Sequence, residues 1–238
     1  MKKESINKFW IIAIFAIAMA FLEATVIIYL RKIYYPLGFD FPLKGFIDSN
    51  IMGIEWVREF FTIVMLLSVA LLASKKFYKK FAYFIYAFAI WDIFYYVFLK
   101  LTLNWPPSFL TWDILFLIPL PWIGPVITPV LFSILMLSLA FLIIYFEDKG
   151  KNVKITLKEL CFFIMGVLLI LYTWLYDYVK IIFSNGFVKD FFTLAENQQF
   201  TQVVSSYVPL SYNWPLFITG IALIILGIIL FYLRTSRD

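Results

Sequence analysis

Histidine is absent from this 238-residue chain, and a single cysteine, Cys161, is present. The first absence excludes a histidine-ligated haem, a typical catalytic zinc site and any catalytic triad that uses imidazole within the chain. The second excludes an intramolecular disulfide and a cysteine-ligated metal centre. No cofactor is therefore expected from this chain's own ligands. Charge is also scarce, at 15% of residues against 63% hydrophobic. Phosphate-cradling glycine loops, G-x-S-x-G elbows and H-E-x-x-H pairs do not occur, which removes the commonest nucleotide, hydrolase and metalloprotease signatures. A basic face for nucleic acid has no polar domain to sit on, so nucleic-acid partners are not expected.

What the chain has instead is long apolar runs, and its mean hydropathy is +0.91. So much apolar surface requires the bilayer as part of the solvent. The runs are continuous and about twenty residues long, which points to helices and not to the alternating strands of an outer-membrane barrel. The fold expected is all-α: one domain, residues 1–238, of six transmembrane helices near 9–30, 54–73, 81–101, 126–146, 159–181 and 213–233. The run from Phe9 to Leu30 follows Lys2, Lys3 and Lys8 and exceeds the apolar core of a signal peptide, so it is read as a retained span.

Charge placement orients these spans. Thirteen of the twenty Lys and Arg residues fall at the N-terminus, in the 74–80 and 149–158 connections, and at the C-terminus. By the positive-inside rule both termini are expected to be cytoplasmic, in a prokaryotic inner (plasma) membrane.

Carboxylates inside apolar runs are expensive unless protonated, paired or wet, so they mark candidate function. Glu23 lies roughly two turns below the outer end of the first span, beside the small-residue face of Ala13, Ala16, Ala20 and Ala24. Asp92 lies near the middle of the third. Glu55, Arg58 and Glu59 share one face of the second at i, i+3 and i+4. Arg58 is expected either to form an interfacial salt bridge on its own helix or to reach Glu23 or Asp92, whereas Glu55 is expected to face water. Tyr95 and Tyr96 stand at i+3 and i+4 from Asp92, near enough for a hydroxyl to solvate it.

Between spans three and four the segment LTLNWPPSFLTWDILFLIPLPWIGPV contains five prolines and cannot form one uninterrupted helix. A short amphipathic helix over about 108–118, lying in the outer interface, is the expected form, with a re-entrant loop as the alternative. Asp113 within it either caps a polar pocket or faces water. Asp177, near the outer end of span five, reads as an exposed helix end of the same layer. The segment 182–212 includes an amphipathic run suited to the outer membrane surface.

All of these charges, with Arg31, fall in the outer half or at the outer surface. A proton or ion wire needs stations on both sides, so a site reached from outside is the better reading. Glu23, Arg31, Arg58, Glu59, Asp92, Tyr95, Tyr96, Asp113 and Asp177 are the expected pocket residues. Three function classes remain: a subunit or anchor of a larger membrane complex, contacting lipids and other membrane or outer-side subunits; a small enzyme on a lipid or lipid-linked substrate, with Glu23 or Asp92 as acid or base; and a transporter or channel component.

Overall fold

The computed structural model describes residues 1–237 apart from 44–48, 190–193 and 195–196. Its elements run α1 (Lys3–Tyr34), α2 (Ser49–Ala73), α3 (Phe77–Leu103), β1 (Trp112–Phe116), β2 (Trp122–Pro125), α4 (Ile127–Asp148), α5 (Leu157–Ser184), α6 (Gln198–Ser206) and α7 (Trp214–Arg237). Six of the seven helices, all but α6, are long and apolar enough to cross a membrane. The protein is thus a mostly helical multi-pass membrane protein, as its apolar runs require.

Ionic contacts bring both termini to one end. The Lys2 backbone N–H and the Ser5 hydroxyl donate to Asp148, at 2.8 and 2.9 Å. Lys79 meets the same carboxylate at 2.7 Å, and Lys76 meets Glu147 at 2.6 Å. Arg234 of α7 pairs with Glu159 at 2.8 Å. Glu159 also closes a capping box with Thr156, which fixes where α5 starts. The opposite end, called the hairpin end below, holds the charges singled out above.

Small residues set how closely the spans approach. Ala16, Ala20 and Ala24 on α1 are fully buried, as are Ala82, Ala87 and Ala89 on α3, and the α1 alanine stripe packs as its spacing requires. Gly166 on α5 and Gly220 on α7 meet backbone to backbone: a Cβ on Gly166 would lie 2.6 Å from Ile224 Cγ1 and 2.8 Å from the Gly220 carbonyl oxygen. Because a carbonyl cannot swing aside, Gly166→Ala is expected to destabilise by roughly 1–3 kcal/mol despite its better helix propensity. Gly53→Ala, where an added Cβ meets nothing within 4 Å, is the control and should leave the melting temperature in detergent unchanged or raised. Equal melting of the two variants would contradict the packing.

One element differs in kind from the sequence expectation. Where a helix is expected over 108–118, the chain forms an antiparallel hairpin, with Trp112 opposite Pro125, Asp113 opposite Gly124 and Ile114 opposite Ile123. Two further bonds tie its base, from Val126 N–H to Thr111 O at 3.0 Å and from Ile127 N–H to Phe109 O at 2.8 Å. The run is short and apolar, and such runs fit helix and strand alike. Prolines at 119, 121 and 125 keep any helix from continuing past the run, whereas a two-stranded ribbon tolerates the donors they lack.

The hairpin enters the bundle. The Trp122 ring stacks on Trp174 of α5 at 5.3 Å, and Phe116 packs edge-on against Trp91 of α3. At the tip, Leu117 N–H donates to Glu59 at 2.8 Å. Glu59 lies ten residues into α2, roughly 15 Å from its start along the axis. The strands of the hairpin therefore pack among the helices, with Asp113, Phe116 and Ile123 buried.

In the 182–212 segment, α6 begins at Asn197, whose side chain accepts from the Gln199 and Phe200 N–H groups. Phe200 is buried against Tyr178 and Phe187. Part of the amphipathic run expected here, at 190–193 and 195–196, lies outside the described residues.

Candidate functional site

Three helices and the hairpin bring their charges together at one end. α1 contributes Glu23 and Arg31, α2 contributes Glu55, Arg58 and Glu59, α3 contributes Asp92 and Tyr95, and β1 contributes Asp113. These eight line one cavity of about 100 Å³, together with the apolar side chains of Ile27, Leu30 and Met52 and with β1.

Arg58 organises the α1–α2 side. Its Nε and one terminal nitrogen donate to Glu55 Oε2 at 2.9 and 2.7 Å, and its other terminal nitrogen is paired with Glu23 Oε1. The Thr62 hydroxyl approaches Glu23 Oε2 at 3.3 Å. The planar guanidinium fork suits this double engagement, which an ammonium could not reproduce. Of the two partners the sequence allowed for Arg58, Glu23 is the one it meets. Glu55 is 5% exposed and fully engaged, so the expectation that it faces water is corrected. Its i, i+3 spacing from Arg58 was the signal, and burial by the neighbouring helix decided the outcome.

Arg31 organises the hairpin side. Its guanidinium lies 4.1 Å from the Phe39 ring centre and 3.7 Å from that of Trp105, and it donates to Asp113 Oδ1 at 3.0 Å. Aromatic faces on two sides and a carboxylate on a third replace the water this cation gives up. The Tyr96 hydroxyl donates to Asp113 Oδ2 at 3.2 Å. Asp113 is fully buried. It lies outside the six spans, and burial pushes its pKa up to about 6 while the Arg31 guanidinium pulls it down. Of the two settings offered by the sequence, capping a pocket and facing water, Asp113 takes the first.

Asp92 accepts from the Ser133 hydroxyl of α4 at 2.8 Å. Neither Tyr95 nor Tyr96 solvates it: Tyr95 lines the cavity, and Tyr96 serves Asp113. Helical spacing put both hydroxyls within reach, but the buried hairpin supplied a competing acceptor that spacing could not reveal. Ser133 lies in a stretch of α4, 129–146, with no charged residue, so the sequence does not single it out.

Asp177 does not join the group. It is buried on α5 and does not line this cavity, so it is neither a pocket residue nor an exposed helix end.

Electrostatically the cavity is unbalanced. Five carboxylates line it against two guanidiniums. Glu23, Glu55 and Asp113 share the two arginines. Glu59 and Asp92 have no cationic partner among the described residues; each accepts a single neutral hydrogen bond. The surplus attracts protons or positively charged groups from the hairpin end.

Behind this cavity lies a second, of about 170 Å³, which shares Trp91, Asp92, Leu115 and Phe116 as its wall. Its remaining lining is almost wholly apolar, with Phe88, Trp122, Phe132 and Trp174 prominent. Nothing local in the sequence marks the rings that face a cavity. No group of three or more Asp, Glu, Cys or His side chains suited to a metal ion occurs among the described residues. Comparison of the chain with protein-family models, with curated protein sequences and with solved structures finds no match to any of the three.

Proposed function

We propose that this protein is a ligand-holding subunit of a prokaryotic plasma membrane, with both termini cytoplasmic and its polar pocket open to the outside. The orientation is supported by the lysine-rich connections, which gather at the end that carries the termini. The ligand-holding role is supported by one observation above all: seven of the nine residues selected from the sequence line a single cavity beneath the hairpin end. Membranes tolerate such a concentration of buried charge where it does work.

The ion pairs favour binding over catalysis. Glu23 is committed to Arg58, and its exchange with a substrate proton would break the contact that joins α1 to α2. Asp92 keeps a freer carboxylate, whose one described hydrogen bond comes from the Ser133 hydroxyl. Small ligands are held this way, by a largely preformed pocket with a few convergent polar groups.

The test is retention. Protein extracted from its native membrane in mild detergent is expected to carry a bound small molecule or lipid visible by native mass spectrometry. Met52→Trp, which narrows the pocket without touching an ion pair, is expected to lose that molecule and keep its melting temperature. Identical spectra for the two proteins, or an empty wild-type protein, would refute a ligand-holding pocket.

A further inference from the structure

Within that ligand-holding reading, we propose that the aromatic cavity behind Asp92 receives an alkylammonium group, with a hydrogen-bond acceptor close to the cationic centre. Six rings line it, those of Phe88, Trp91, Phe116, Trp122, Phe132 and Trp174. Ring faces attract cations through their quadrupole, tryptophan most strongly, and a set of rings around one space is the usual cage for alkylated nitrogen.

The charge count agrees. Asp92 is the one ionisable carboxyl group in this lining, which includes no lysine or arginine. Its described hydrogen bond comes from an uncharged hydroxyl. A cation inside the cavity supplies the opposite charge that the protein leaves out, and the neutralised pair is far cheaper to keep in hydrocarbon than either ion alone.

Two buried donors add the second half. The indole N–H groups of Trp91 and Trp122 have no hydrogen-bond acceptor among the described residues, while that of Trp174 donates to Thr128 at 2.8 Å. Buried donors are nearly always satisfied. A hydroxyl, ether or carbonyl oxygen on the ligand would satisfy one or both.

A metal ion fits poorly. One carboxylate and one hydroxyl fall short of the six or more oxygens that calcium or magnesium requires, and ring faces do not replace a hydration shell for a small, hard ion. An uncharged apolar guest fits poorly too, since it leaves the Trp91 and Trp122 N–H groups without an acceptor. The acidic outer cavity adjoins the inner one at Asp92 and Trp91, so its carboxylates add to the attraction for a cation held there.

The experiment uses the full chain in nanodiscs of phosphatidylglycerol and follows indole fluorescence on titration with choline, with tetramethylammonium, and with 3,3-dimethylbutan-1-ol, the uncharged carbon isostere of choline. Saturable quenching is expected with the two cations, and at least tenfold weaker binding with the isostere. Asp92→Asn, which keeps an acceptor for Ser133, is expected to weaken choline binding at least tenfold and leave the isostere unaffected. Should that variant fail to fold, Trp122→Phe keeps the ring and removes one donor, and it is expected to weaken choline more than tetramethylammonium, which lacks the oxygen. In discs of phosphatidylcholine, loss of choline binding would identify a lipid headgroup as the occupant, and persistence would identify a free amine; either supports the site. Equal binding of choline and its isostere, or no saturable binding of either cation, would overturn it. Neither result would touch the retention expected of the outer pocket, because Met52 does not line the aromatic cavity.

Discussion

Arg58→Met is expected to lower the stability of the detergent-solubilised protein by about 3–5 kcal/mol, the range for breaking a buried ion pair from one side. The effect should sit at the upper end, because one guanidinium holds two carboxylates. Glu23 and Glu55 are 8% and 5% exposed, and the substitution strands both. Their mutual repulsion then acts across the α1–α2 contact that the arginine had drawn together. Arg58→Lys should fall between wild type and Arg58→Met, since an ammonium lacks the planar fork that engages two partners. Adding Glu23→Gln to Arg58→Met removes one stranded charge and is expected to recover part of the loss, visible as a positive coupling in a double-mutant cycle of melting temperatures. Additive losses from the two substitutions would mean that Glu23 and Arg58 do not act as a pair.

That pair was within reach of the sequence, and the reasons are specific. A carboxylate two turns inside an apolar run needs a partner, and Arg58 was the cation at a matching depth on the next span. Helical spans convert residue number into depth at a fixed 1.5 Å per residue, so residues on different spans can be ranked by level before any contact is known. The same arithmetic put Asp92 at that level. It could not give rotation about each helix axis, which is why Tyr96 was assigned to Asp92 when it faces Asp113.

The hairpin marks the other limit. Leu115, Phe116 and Leu117 would serve a buried strand or a buried helix turn equally well, and nothing local separates the two. What decides is tertiary: Trp174, Trp91 and Glu59 offer a ring to stack on, a ring edge and a hydrogen-bond acceptor at the heights a ribbon reaches. The aromatic cavity was invisible for the same reason, because the hairpin itself forms one of its walls. Asp177 shows the converse error, a charge of the right depth on the wrong side of the bundle. Depth alone did not separate it from the others, since α5 pairs with α7 and meets the rest through β2.

Arg31→Met is expected to be the second large effect, about 3–5 kcal/mol, with a consequence that Arg58→Met lacks. Asp113 is fully buried, and after the substitution only the Tyr96 hydroxyl, at 3.2 Å, remains against its carboxylate apart from backbone. Asp113→Asn should be milder, roughly 1.5–3 kcal/mol, because an amide oxygen still accepts from the guanidinium and only the charge is lost. The two together should fall short of the sum, since the second change removes a partner already missing. The distinguishing readout is local. Arg31 and Asp113 tie the first strand of the hairpin to α1, and that strand separates the outer cavity from the aromatic one. Amide hydrogen exchange in the hairpin, including the Leu117 N–H held by Glu59, is expected to accelerate in Arg31→Met while the helical amides around Ala16 and Ala20 stay protected. Arg58→Met, which loosens α1 from α2 without touching the hairpin base, should show the reverse order. A hairpin that exchanges no faster after loss of Arg31 would mean that its seat depends on the tryptophan stack alone, and the ion pair would then be a consequence of the hairpin's packing rather than the clamp that holds it.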